Sequence, residues 1–199
     1  MWKESVYENA QMKEIVLQSQ LASLKAQLDP HFMFNNYSVL RSLIQEDKEK
    51  ASEFLERLSD VQRYLLVNLE HDLVSLAKEI QFLIDYLYLI KIRFGESIQV
   101  EINVRPELLG MKIPPMTLQL LLENAIKHNK ATKKSPLFVN IYGEEEYLII
   151  ENNLQLLNTL PHSSKLGLTN IKKRYLLIED REVVIEQTVS VFRVKIPLL

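Results

Sequence analysis

The sequence predicts an α+β protein, with a helical region over residues 1–94 followed by an α/β sandwich with a mixed sheet over residues 95–199. Three observations predict it. Apolar residues recur at spacings of four and three in successive segments up to Phe94, which is the period of a helix with one buried stripe. At Ile98 the period changes to two, as in a half-buried strand. The remaining order of strand, helix, strand pair, helix, strand pair builds a mixed sheet with helices on one face.

Taken in order, residues from about 6 to 28 read as one helix, with Leu17, Leu21, Leu24 and Leu28 forming a seam over its second half. Its upstream positions hold Tyr7, Ala10 and Glu14, so the seam serves a coiled coil or a core-facing helix equally well. Pro30 removes a backbone donor and restricts Asp29, which predicts a kink or restart that continues through Val39, Leu40, Leu43 and Ile44. The charged stretch 45–53 reads as a solvated connection or first turn. Phe54, Leu58, Val61, Leu65 and Leu69 then mark a second helix, ending near His71-Asp72. Ser75 is the expected N-cap of a third helix carrying Leu76, Ile80, Leu83, Leu87, Ile90 and Phe94, with Gly95 closing it. Such stripes are most simply buried in a hairpin that pairs with itself or with another copy.

In the second region Ile98, Val100, Ile102 and Val104 alternate with polar residues, and Arg105-Pro106 ends that strand. A helix is expected from about 116 to 128 after Pro114-Pro115. Strands are expected at 137–142 and 147–151, then a long polar stretch from Asn152 to Lys165, a helix over 168–178, and two strands at 182–187 and 191–196.

Composition removes several function classes. A net charge of −2 supplies no basic excess to neutralise a phosphate backbone, so nucleic acid is not the expected partner. The absence of cysteine rules out disulfides and thiolate metal sites. No apolar run approaches the roughly 18 to 20 residues that span a bilayer. The N-terminus, with Lys3, Glu4 and Glu8, lacks a signal peptide's apolar core. With only four glycines, a phosphate-cradling loop of the usual kind is disfavoured.

Three clusters carry chemistry. Glu123, Asn124, Lys127 and His128 fall within roughly 140° of one another on a helical wheel, with Gln119 beside them and Leu118, Leu121, Leu122, Ala125 and Ile126 opposite. Oxygen donors suit Mg²⁺ and cationic groups suit phosphate, whereas a plain surface helix would pair Glu123 with Lys127. Gly167, at the mouth of a helix that begins Leu168-Thr169-Asn170-Ile171, offers free amides to an anion or is simply a turn before a basic amphipathic helix. His31 sits beside Pro30 and between Phe32 and Asp29. A histidine among aromatics is commonly structural, yet an exposed neutral imidazole is a good phosphoryl acceptor. Asp29 and Asn35 are its nearest polar neighbours in sequence.

Gln27, Pro30-His31-Phe32, Phe34 and Asn35 resemble the histidine-containing segment of the LytS-like sensor histidine kinases. Pro114-Pro115-Met116 and the word Leu121-Leu122-Glu123-Asn124-Ala125-Ile126-Lys127-His128 resemble the N-box of the histidine-kinase and heat-shock-90-like ATPase superfamily. The segment from Leu166 to Tyr175 resembles that superfamily's second glycine box, commonly Gly-x-Gly-Leu-x-Asn-Ile, with Lys165 in place of the first glycine. Glu151-Asn152-Asn153-Leu154 stands where an Asp-x-Gly-x-Gly segment usually reads adenine, which puts Asn152 in the Asp position and removes both glycines.

The resemblance implies a homodimeric kinase core. Residues 1–94 would dimerise and carry the phosphoacceptor His31, and residues 95–199 would bind ATP. It implies Asn124 as the Mg²⁺ ligand, Glu123 as an acid–base or metal-orienting group, and Lys127 and His128 near the phosphates. It places Asn152, Gly167, Leu168 and Asn170 among the ATP-binding residues. Phosphate would pass from His31 to an aspartate on the receiver domain of a response regulator. The chain would be the cytoplasmic portion of an inner-membrane sensor, attached to the membrane only through upstream segments. The missing glycines also admit a pseudokinase, a dimeric signalling scaffold that transfers no phosphate.

Overall fold

The computed structural model describes residues 30–68, 71–155, 165–179 and 181–199. The leucine seam over 17–28 and Asp29 therefore lie outside the described residues. The chain divides into two compact units, Met1–Ser52 and Glu53–Leu199, a boundary set by contacts that falls inside a helix.

In the first unit α1 spans Pro30–Glu46. Proline is well placed in the first helical turn, where its missing N–H has no acceptor to lose. Asn36 is buried, its Nδ2 donating to the Phe32 carbonyl at 2.9 Å. Of the charged stretch 45–53, Asp47 alone is the connection and the residues from Lys48 form the first turns of the next helix. Asp47 interrupts the helix, accepts from the Lys50 amide at 3.1 Å as an N-cap, and α2 runs on over Lys48–Asn68.

In the second unit α2 buries Phe54, Leu58, Val61 and Leu65 of the stripe its sequence predicts; Leu69 lies outside the described residues. Helix α3, Leu76–Phe94, starts on Ser75, whose hydroxyl accepts from the Lys78 amide at 3.4 Å. It ends on Gly95 at φ 57°, with the glycine N–H returned to the Lys91 carbonyl, a conformation that favours glycine. The buried side of α3 is broader than the expected single stripe: besides Leu76, Leu83 and Ile90 it includes Glu79, Phe82, Asp85, Tyr86 and Leu89. Its second face meets α2. Tyr64 stacks on Phe82 with ring centroids 4.1 Å apart, and Arg57 pairs with Asp85.

Two short strands, β1 (Val74–Ser75) and β3 (Lys112–Ile113), pair antiparallel and were not legible in the sequence. The main sheet has β2 (Ile98–Asn103), β4 (Leu137–Glu144), β5 (Tyr147–Asn153), β6 (Val184–Gln187) and β7 (Val191–Pro197) in the order β2-β4-β5-β7-β6. Only β2 and β4 run parallel, so the sheet is mixed. Register places Ile98, Leu137, Val139, Ile141, Leu148, Ile150, Val194 and Ile196 on one buried face. The other face carries an ion-pair lattice in which Arg193 joins Glu151 and Glu186, and Lys195 joins Glu186.

Helices α4 (Thr117–His128) and α5 (Lys165–Glu179) complete the unit, with Leu118, Leu121, Leu122 and Ala125 of α4 buried. Strand β5 is longer than predicted, so Asn152, expected at the start of a loop, lies inside it on the buried face, opposite Val139. Helix α5 begins at Lys165 rather than Leu168.

Ile141, 1% exposed, and Phe138, 46% exposed, are near neighbours on opposite faces of β4. Ile141→Ala is expected to lower unfolding free energy by about 2–5 kcal/mol and Phe138→Ala by less than about 1 kcal/mol, as read from urea midpoints.

Candidate functional site

The start of α4 is built in an unusual way. Pro114-Pro115 deliver the chain to Met116, which adopts φ 66°, a left-handed conformation costing a non-glycine residue roughly 1–2 kcal/mol. No side chain at the N-cap position satisfies the first amides of this helix. A distant one does. Glu79 of α3 is fully buried (0% exposed), and its Oε2 accepts from the Met116 amide at 3.1 Å while Oε1 accepts from the Leu118 amide at 3.0 Å.

A carboxylate at a helix N-terminus meets both the orphan amides and the positive end of the dipole. Tyr64 of α2 donates its hydroxyl to Oε2 at 2.5 Å. On the other flank Arg174 of α5 donates to the Pro115 carbonyl at 2.9 Å, and the Thr117 hydroxyl donates to Pro114 at 2.6 Å.

Burial pushes the Glu79 carboxyl above the ordinary carboxylate range, opposed by Tyr64, the two amides and nearby Arg174. Burial also pushes the Tyr64 and Tyr175 phenols upward, with the Glu79 charge adding to the shift, so both stay neutral. Burial lowers Arg174, partly offset by Glu79 and Asp72.

The far end of α4 is held as firmly. Asn129, buried, donates from Nδ2 to the Ala125 carbonyl at 2.9 Å, and its Oδ1 accepts from the Gln155 amide at 2.7 Å. The Lys130 amide donates to the Gln155 carbonyl at 2.8 Å. The C-terminal end of α4 is thus tied to the chain leaving β5, two residues past its last residue, Asn153.

Between these anchors lie the predicted residues. The Glu123 Oε1 accepts from the Tyr86 hydroxyl at 2.8 Å and from Gln119 Nε2 at 2.9 Å. Glu123 is therefore oriented from α3, not only available to Lys127 as a surface pair. Asn124 and His128 are half-buried and Lys127 is exposed. Burial and the Lys127 charge lower the His128 pKa, so its ring is neutral at pH 7 and offers a hydrogen bond rather than a charge. Asn152 donates to the Asn153 carbonyl at 2.8 Å.

Gly167 and Leu168 are the third and fourth residues of α5. The Gly167 amide is among those at a helix start that lack an intrahelical acceptor, whereas the fourth helical residue is the first whose amide has one. Asn170 is exposed. His31 is the second residue of α1, in the other compact unit; its side chain, those of residues 165–167, and the segment 156–164 lie outside the described residues.

The family model described as Histidine kinase matches residues 19–98. Sensor protein LytS of Oceanobacillus iheyensis is 34% identical over 201 residues, which are 91% of this chain and 34% of that protein. The chain belongs to the LytS-like sensor histidine kinases. Sensor histidine kinase BtsS of Escherichia coli K12 is 34% identical over 166 residues, 81% of this chain and 29% of that protein. This LytS-like chain spans about a third of the length of the curated relatives it matches. The solved cytoplasmic segment of histidine kinase QseC is 17% identical, covers 76% of this chain and 93% of that chain, and superposes with a TM-score of 0.46.

Among the described residues no group of three or more His, Cys, Asp or Glu forms a metal cage. Mg²⁺ keeps several waters and is usually held by one or two protein oxygens together with substrate phosphates. Asn124, half-buried on α4 beside the oriented Glu123, has the right oxygen donor for such a role.

Sequence reasoning missed Glu79 and Tyr86 and gave no individual role to Asn129 or Arg174. The only sequence signal for Glu79 is its position one residue before Ile80 in an apolar helix. Glu79→Ala leaves two amides and a phenol without an acceptor, and is expected to cost about 3 kcal/mol or more in urea unfolding. The folded-state pKa of Glu79 is raised, so the stability it contributes is fully present below its unfolded pKa and is lost as pH rises through the folded value. Wild type should therefore lose stability relative to Glu79→Gln as pH is raised from about 4 to about 8, and a gap that widens in wild type's favour over that range would contradict the assignment.

Proposed function

We propose that this chain is the catalytic core of a sensor histidine kinase, which phosphorylates His31 from Mg·ATP and passes the phosphate to an aspartate on a response regulator receiver domain. In the first step an unprotonated imidazole nitrogen attacks the γ-phosphorus. The N–P bond forms as the bond to the bridging β-oxygen breaks, and ADP leaves. In the second step the aspartate carboxylate takes the phosphoryl group and the neutral imidazole is regenerated. Catalysis of this kind rests on positioning and charge neutralisation.

The observation that carries the reading is α4. One helix presents Glu123, Asn124, Lys127 and His128, has its two ends held by buried polar groups, and is tied to the exit of β5. Asn124 would hold Mg²⁺, and the metal would neutralise charge on the phosphates. Glu123, oriented by Tyr86, would act as an acid–base or metal-orienting group. Lys127, neutral His128, the Gly167 amide, Leu168 and Asn170 would meet the phosphates, and Asn152 would accept from the adenine amine. An amide accepts there less strongly than the usual carboxylate. Residues 1–94 would supply the dimer and phosphoacceptor region and 95–199 the ATP-binding domain, within the cytoplasmic part of a sensor whose membrane segments lie upstream.

The missing glycines around Asn152 favour a second reading, a dimeric pseudokinase scaffold. Incubation with γ-labelled ATP separates the two. Wild type is expected to acquire acid-labile label, and His31→Ala and Asn124→Ala to lose it by at least about a hundredfold. Nucleotide binding without label would support the scaffold, and neither would sink both.

A further inference from the structure

Tyr64 and Glu79 do more than fill the space between α2 and α3. The Glu79 Oε2 is shared between the Tyr64 hydroxyl at 2.5 Å and the Met116 amide at 3.1 Å, and its Oε1 is taken by the Leu118 amide at 3.0 Å. The carboxyl is fully buried, so no solvent can replace a donor that moves away. Met116 is in a left-handed conformation that only its surroundings maintain. The adjoining Pro115 carbonyl is held from the opposite flank by Arg174, seven residues along α5 from Gly167. The first turn of α4 is thus clasped by a group from α3 that is itself held by α2, and by a group from α5.

We propose that Tyr64 and Glu79 are positioning residues that couple the placement of α2 to nucleotide affinity. Helix α2 is linked to α3 by the Tyr64–Phe82 ring stack, by Arg57 with Asp85, and by the Tyr88 hydroxyl donating to Glu53 at 2.9 Å. Of these links, only the Tyr64 hydroxyl reaches a group that also bonds the first turn of α4. A shift of α2 along α3 that withdraws it leaves the carboxyl short of one donor, and the Met116 amide is the group that shares the affected oxygen. Displacement there moves the start of the helix that bears Asn124 and, through Pro115 and Arg174, the helix whose first turn carries the Gly167 amide. Coupling in the reverse direction follows from linkage: nucleotide that tightens this turn holds Tyr64, and so α2, in place.

The inference rests on ATP binding at α4 and α5, and the test separates the two. Mg·ATP affinity and initial label incorporation are measured on the full chain for wild type, Tyr64→Phe, Glu79→Gln, the double variant and Tyr88→Phe, at a temperature well below each variant's melting midpoint. Tyr64→Phe keeps the ring that stacks on Phe82 and loses only the hydroxyl. It is expected to weaken ATP binding roughly three- to tenfold, seen as a raised KM for ATP with the rate at saturating ATP little changed. Glu79→Gln should weaken it at least as much. The double variant should be no weaker than Glu79→Gln alone, because Tyr64 acts through Glu79. Tyr88→Phe should match wild type. Unchanged ATP affinity in Tyr64→Phe, additive losses in the double variant, or a lowered melting midpoint with no change in affinity would each overturn the coupling while leaving the kinase reading intact. A folded wild type that binds no nucleotide would overturn both.

Discussion

A single buried carboxyl governs the geometry of the candidate site. Glu79 enters the core on α3 and caps a helix nearly forty residues downstream, whose own N-cap position carries no capping side chain. Two amides at a helix start and a phenol would otherwise be left unpaired in the protein interior, and the left-handed Met116 would lose the acceptor of its own amide. Because the first turn is fixed, the register of everything after it is fixed: Glu123 meets Tyr86 one turn and a half later, and Asn129 reaches Gln155 beyond the helix end. Beyond the local Gln119–Glu123 bond, the polar face of α4 is oriented by contacts that lie outside the helix.

Much of this architecture can be read directly from residue periodicity. The stripe Phe54, Leu58, Val61, Leu65, the caps Ser75 and Gly95, and the alternation from Ile98 are local signals that the structure repeats. The errors are also informative. Asp47 ends one helix and begins the next in a single residue because it supplies its own cap, which decides between the connection and the first turn that a run of charges leaves open. α3 is buried on a second face because α2 and α4 both contact it, and a single-stripe reading assigns Glu79 and Asp85 to solvent. The two-residue pairing of β1 with β3 has no periodicity to detect.

The candidate site was legible as a list of residues and not as an arrangement. Glu123, Asn124, Lys127 and His128 share one helix, which spacing alone establishes. Apart from Gln119, which reaches Glu123 from one turn earlier on the same helix, what orients them comes from α3, α5 and the chain after β5, through hydrogen bonds between residues far apart in sequence. Asn152 illustrates a further gap. Alignment on its strand locates it, but only the register of β5 against β4 shows that it lies on the buried face with the apolar core.

Native-state hydrogen exchange at the Met116 and Leu118 amides tests the role of Glu79 most directly. If the carboxyl caps this helix, both amides exchange slowly in wild type, as slowly as the core strands, and Glu79→Ala speeds them by at least about a hundredfold relative to amides in β5. Rapid exchange at both positions in wild type, or protection that survives removal of the carboxyl, would contradict the account.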